Sequence, residues 1–238
     1  MGEGFPEDQW PGLLNAMQRV GPSAVVRFVR RASACDRTAL WHFVRSAFAL
    51  REWEGKSLAA ITAVCEAGVA DMAEREELDE ANVLSYNVAA DLAPCWPGDD
   101  LPRRAEDYHA GLIAADRCIR WREQLRKGAD AMAMAHWVRG IHLMGLGRAA
   151  DAAAAMTLAC RAADTGAADA PAPTTLLLYR GYRALAGITD GETSACRDFE
   201  TIVAAFEANA DDNPVEADGI AFHLGQLAKT KRILVDQA

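Results

Sequence analysis

Apolar residues recur every three to four positions along most of this chain, the period of a helix with one buried face. Leu58, Ile61, Val64, Cys65, Val69 and Met72 share such a face and predict a helix over 57–76. The same reading predicts helices at 22–34, with Pro22 at its start, and at 37–54, with Asp36 as N-cap and Gly55 as stop. Further helices are expected at 79–93, 104–127, 130–146, 148–165, 174–188 and 191–210, and from Asn213-Pro214 to about 235. Tyr108, Leu112, Ala115, Ile119 and Arg122 lie on related faces of 104–127; Gly128 ends that helix and Asp130 caps the next. Pro6 and Pro11 break the opening residues, so 1–20 reads as a loosely ordered lead-in. Pro94 to Pro102 is the clearest long loop, and 166–174 is a second. No segment alternates as a strand does, so the expected class is all-α.

The predicted helices pair into four hairpins, beginning near 37, 79, 130 and 174, with one helix before and one after. Equivalent positions return every 42, 51 and 44 residues, the longest interval holding the Trp96 loop. Units of this size cannot bury their apolar faces alone and are stable when stacked. We therefore expect a single domain over 21–238, built as a right-handed α-α superhelix.

Residues 133–163 are the most regular of these hairpins. Small residues Gly140, Ala152 and Ala159 stand where two backbones must approach, Leu143 and Met156 fill the space between, and Gly147 makes the turn. This register resembles the tetratricopeptide repeat. Where that repeat carries tryptophan, this chain has His136, and Trp137 follows it. The hairpin at 174–210 keeps Gly181 and Gly187, while Ala195 and Phe199 fit after a shift of about two residues. The two earlier hairpins fit only as helix pairs.

The resemblance implies a concave groove lined by the first helix of each pair. Carried over by position, that lining is Met134, Trp137, Ile141 and Met144, then Leu178, Tyr182 and Leu185, with Arg183 beside them. Relatives that grip a peptide's terminal carboxylate use lysine and asparagine here, where this chain has Trp137 and Ile141. A carboxylate clamp is not expected. An apolar lining suits an amphipathic helix or an extended hydrophobic segment; it equally suits cover by another helix of the same chain.

Composition narrows the function further. Apolar residues make up 51% of 238, enough for a sizeable core. The net charge of −9 argues against nucleic acid, whose binders carry a basic face. Acids crowd 61–100, and arginines crowd 19–51. These read as solvated helix faces, or as an acidic patch that steers a basic partner. The six cysteines include no close pair, so no metal or redox motif is expected; as small core residues they fit a reducing cytoplasm. The opening residues do not read as a secretory signal, and no run approaches the ~20 apolar residues of a membrane span.

Chemistry is sparse. His136 and His142 are six apart, off any shared helix face, and Gly145-Leu-Gly147 lies between helices, not after a strand. Asp99-Asp100-Leu-Pro-Arg-Arg is similar to the start of the aspartate-rich motif of all-α isoprenyl diphosphate synthases, which holds Mg²⁺. Ala105 stands where a further aspartate belongs, and Asp211-Asp212 precedes Asn213-Pro214 in another loop. The bland reading is that Asp99 or Asp100 completes a turn and caps a helix. Trp96, between prolines, either plugs a seam or presents an anchor.

The expectation is a non-enzymatic scaffold or adaptor holding a protein or peptide partner, without cofactor, metal, nucleic acid or membrane. Apolar stack ends leave room for a homodimer. One alternative is a regulatory or sensor module whose groove takes its own terminus, or a small molecule in a pocket around His136, His142 and Tyr179. The other is a Mg²⁺-dependent enzyme using Asp99 and Asp100. On the scaffold reading Trp137→Ala weakens partner binding with the fold intact, and an unfolded variant marks Trp137 as core. On the enzyme reading Mg²⁺ with diphosphate raises the melting temperature.

Overall fold

The computed structural model describes residues 7–165, 173–212 and 215–236. Among them are eleven α-helices and no strand: α1 Trp10–Val20, α2 Pro22–Arg30, α3 Ala34–Leu50, α4 Leu58–Glu74, α5 Leu78–Leu92, α6 Ala105–Gln124, α7 Ala129–Gly145, α8 Ala149–Thr165, α9 Pro173–Thr189, α10 Ala195–Asp212 and α11 Ala217–Leu234. The expected all-α class stands, with successive helices packing on their chain neighbours. None of the described helices is long and apolar enough to cross a membrane. The loop expected at 166–174 and the Asn213-Pro214 helix start fall mostly outside the described residues.

The chain divides into two compact units, Met1–Asp91 and Leu92–Ala238. The first contains a helix where the sequence suggested a loose lead-in. Pro11 does not break α1, because it stands in the first turn, where a missing N–H costs no helical bond. Leu13 and Met17, four apart, are buried and hold α1 down. In this unit α2 packs on α1, α3 and α4.

The uneven charge of the sequence finds a use here. Asp71 of α4 is buried and accepts from Trp41 Nε1 (2.9 Å) and Arg37 (3.3 Å), with Arg75 also at 3.3 Å. Further along α3, His42 meets Glu80 at 2.9 Å, and Arg45 forms a two-bond pair with Asp91. Arginines of the basic segment thus meet acids of the acidic one inside the unit. These pairs tie α3 to its neighbours, and part-buried pairs of this kind are weak evidence of added stability.

The second unit is a sequential stack. α6 packs on α7, α7 on α8, α8 on α9, α9 on α10 and α10 on α11. α7 also touches α9, and α9 touches α11, so alternate helices form one layer. Small residues set the spacing. A Cβ on Gly140 of α7 would stand 2.6 Å from Met156 Cε of α8, and one on Gly181 of α9 would stand 2.7 Å from Leu227 of α11. Gly111 of α6 leaves room for the buried His142 ring of α7.

Four turns share one closure. The residue two past the end of α4, α6, α7 and α9 is left-handed: Glu76 (φ 62°), Arg126 (52°), Gly147 (68°) and Gly191 (78°). Each following N–H reaches back five residues: Glu77 to Met72, Lys127 to Arg122, Arg148 to Leu143 and Glu192 to Gly187, all at 2.9 Å. This is the Schellman closure, which satisfies the last carbonyls and sets the exit angle. It corrects two expected boundaries. Gly128 does not end α6; it is the N-cap of α7, and Asp130 lies in the first turn. Likewise α3 begins after Ser33, with Asp36 in its first turn.

The left-handed positions separate by residue type. A side chain costs roughly 1–2 kcal/mol there, partly offset by the lower entropy of its unfolded chain. Gly147→Ala should therefore lower the free energy of unfolding by about 1 kcal/mol, and Arg126→Gly should raise it by about 0.5 kcal/mol, both read from urea denaturation.

Candidate functional site

The residues expected to line a groove belong to α7 and α9, within the second unit. On α7, Trp137, Ile141 and Met144 repeat at three- to four-residue spacing; on α9, Leu178 and Tyr182 do the same. The rings stack in sequence. Trp137 and Tyr182 lie edge to face at 5.6 Å, and Trp137 and Trp96 do so at 6.1 Å. Trp96 then meets Phe222 of α11 at 6.3 Å. A row of four aromatic side chains thus runs from α9 across α7 and the 93–104 loop to α11.

The α7 and α9 members of this row are covered by the chain itself, one of the two arrangements the apolar lining allowed. Trp137 is 4% exposed, Tyr182 is fully buried, and Ile141, Met144 and Leu178 are buried as well. The cover is α11 and the Trp96 loop. Met134 is half-buried. Arg183 points elsewhere: it donates to Thr157 Oγ1 of α8 (2.8 Å) and forms a two-bond pair with Glu192 (2.8 and 3.0 Å). One residue along a helix turns the side chain by 100°, so Arg183 staples α9 to α8 while Tyr182 faces α11.

Lys229 of α11 fixes the cover. Its side chain is 9% exposed, and Nζ donates to the carbonyls of Trp96 (2.9 Å) and Asp99, with the Asp100 carboxylate at 3.6 Å. Beside it, a Cβ on Gly225 would stand 3.3 Å from Pro97. Phe222, Gly225 and Lys229 are three and four residues apart, so one face of α11 meets the loop. Phe222 stays 44% exposed at its edge.

The loop is also shaped from within. Asp99 accepts from the Leu101 N–H at 3.1 Å and pairs with Arg103, whose guanidinium donates to the Leu101 carbonyl at 2.6 Å. Burial opposes ionisation of Asp99, but the bonded Arg103 guanidinium and the Leu101 N–H hold its carboxyl below the usual value. The N-cap of α6 is Arg104, whose backbone N–H donates to the Asp107 carboxylate (2.8 Å), so Asp99 completes the turn without capping the helix.

Under the rings lies a neutral polar group. The Tyr182 and Thr230 hydroxyls are 3.4 Å apart. Burial, then the adjacent Cys95, pushes the Tyr182 phenol well up. Burial also pushes the Cys95 thiol up to about 12, against the Tyr182 hydrogen bond. Neither group supplies an anion near neutral pH, so this cluster offers packing and not nucleophilic chemistry.

His136, His142 and Tyr179 are not gathered around one point. His142 packs on Gly111 and Tyr108, His136 lies near Arg139 and Glu123, and Tyr179 near Asp130 and Arg122. Among the described residues, no group of three or more His, Cys, Asp or Glu side chains could hold a metal ion. Sequence reasoning missed Phe222, Gly225 and Lys229. Their shared face was the available signal, but nothing in it names the loop as its target.

Compared with protein-family models, with curated proteins and with solved structures, the chain matches none.

Two outcomes follow from this burial. Trp137→Ala should destabilise the second unit by about 3–5 kcal/mol in chemical denaturation, not merely weaken binding. His136 and His223 are both pushed down, chiefly by burial, from an ordinary value of 6.5. The folded state therefore binds fewer protons than the unfolded chain just below that value, and stability rises with pH through this window and levels off above it. The denaturation midpoint should fall between about pH 7 and about pH 5.5, with a shallower fall in His136→Gln/His223→Gln.

Proposed function

We propose that this chain is a non-enzymatic, tetratricopeptide-like scaffold that holds a protein or peptide partner on the layer built by α7, α9 and α11. The observation that carries the reading is the aromatic row, in which Trp96 of the 93–104 loop lies between Trp137 of α7 and Phe222 of α11. The repeat register supports it. Gly140 faces Met156 across α7 and α8, and Gly147 makes the three-residue turn between them. Large apolar side chains at such a face supply anchors, and charge around them governs specificity and on-rate.

A second reading has its own support: a regulatory module whose groove is occupied by its own terminal helix. α11 lies on α9 through Gly181 and Leu227, and its Lys229 fastens the loop. The two readings are compatible, since a scaffold can be held closed by its own chain until a partner arrives.

A photo-crosslinking residue tests the scaffold reading in cells of the native host. Benzoylphenylalanine in place of Phe222, at the edge of the covered row, should yield a discrete protein adduct. The same residue in place of Leu158, exposed on α8, should not. Identical adducts from both positions, or none from Phe222, would count against a partner on this layer.

A further inference from the structure

We propose that the α7–α11 face is a recognition site for an aromatic-proline turn, and that Trp96-Pro97 of the chain's own loop, whose 96–99 turn is closed by the Asp99 N–H on the Trp96 carbonyl (3.2 Å), occupies it as a ligand in cis. This rests on the scaffold reading above and names the chemistry of the partner.

The site treats the loop as a peptide. The Trp96 ring enters a slot between Trp137 and Phe222. Pro97 sits over Gly225, where any side chain would crowd it. Lys229 addresses the main chain, donating to two backbone carbonyls. An aromatic slot, a proline seat and a donor to main-chain oxygens together recognise a short turn, with the backbone giving affinity and the pockets giving selectivity. The Asp100 carboxylate at 3.6 Å from Lys229 adds a preference for an acid after the proline.

Connectivity does not require this arrangement. The link between α7 and α8 takes three residues, 146–148, whereas the link between α5 and α6 takes twelve, 93–104. Surplus length in a connection is ordinarily functional. Its far half is shaped by its own Asp99, Leu101 and Arg103, with Lys229 of α11 added at the Asp99 carbonyl. Trp96 is only half-buried and Phe222 remains at the surface, so the docked segment lies at the edge of the unit. A partner bearing the same chemistry competes with the loop, and its apparent affinity is reduced by the fraction of molecules in which the loop is docked.

The test uses the full chain and a fluorescent synthetic peptide of residues 93–104, read by anisotropy. Trp96→Ala/Pro97→Ala empties the site, and this variant should bind the peptide saturably. Wild type should bind it at least about tenfold more weakly, because the site is filled in cis. Addition of Lys229→Met to the double variant should weaken binding about tenfold. No saturable binding to the folded double variant up to about 1 mM overturns the proposal, as does equal binding to all three chains. If circular dichroism shows the double variant unfolded, hydrogen exchange on wild type decides. Amides of 93–104 should exchange at least about tenfold faster than those of α7 and α9, and matched rates mean that the loop is core and overturn the proposal. A Phe222 adduct without peptide binding leaves the scaffold reading standing and removes only this one.

Discussion

Two helices approach only as closely as the smallest residues on their facing sides permit, and the second unit is organised by that limit. Gly111 accepts His142, Gly140 accepts Met156 and Gly181 accepts Leu227, each a hole on one helix filled by a large side chain of another. A Cβ at any of them meets a side chain already packed, so backbone and side chain cannot both remain in place. Because the helices form a series, these spacings propagate from one interface to the next. The short Trp137–Tyr182 separation follows from them, since those rings meet only when α7 and α9 lie close in one layer.

Turn geometry supplies the second constraint. Four helix exits use the same left-handed closure, yet only two of the residues are glycine. Glu76 and Arg126 adopt a conformation that a side chain disfavours, and the closing bonds to Met72 and Arg122 oppose that cost. This is why the hairpin over 133–163 was legible and the end of α6 was not. Gly147 announces its turn, whereas Arg126 gives no sign of one and Gly128 offers a false stop. The same reasoning covers α1: Pro11 looks like a breaker until it is seen in the first turn, where it is tolerated.

The candidate site was legible only as a stripe. Trp137, Ile141, Met144, Leu178 and Tyr182 do share the inner layer, as their spacing implied. An apolar stripe is the same pattern whether it waits for a partner or is covered by its own chain, so periodicity cannot distinguish the two. The cover comes from Trp96 and Lys229, 133 positions apart, and no local pattern links them. Arg183 was misplaced for a related reason: a helical register names neighbouring faces without saying which one a long side chain will reach. Within the first unit the acid-rich and arginine-rich stretches had looked like two surfaces, but contacts such as Arg45–Asp91 and Arg37–Asp71 join them across helices.

Lys229 gives the covered groove its selectivity. An ammonium buried to this degree must keep acceptors, because an unpaired buried donor costs the full loss of its hydration. The two loop carbonyls meet that need. Apolar side chains alone could fill the space beside Trp137, but a helix laid there would bring its carbonyls already bonded within itself. The Trp96–Asp99 turn, closed by the Asp99 N–H on the Trp96 carbonyl (3.2 Å), presents that oxygen's second lone pair and the Asp99 carbonyl side by side. The aromatic slot thus selects the side chain while the lysine selects the backbone conformation, and a competitor that satisfies one without the other leaves either a cavity or an unpaired charge. On the proposed reading, discrimination arises from that double requirement more than from contact area, and the chain's own Trp96 loop meets both halves of it.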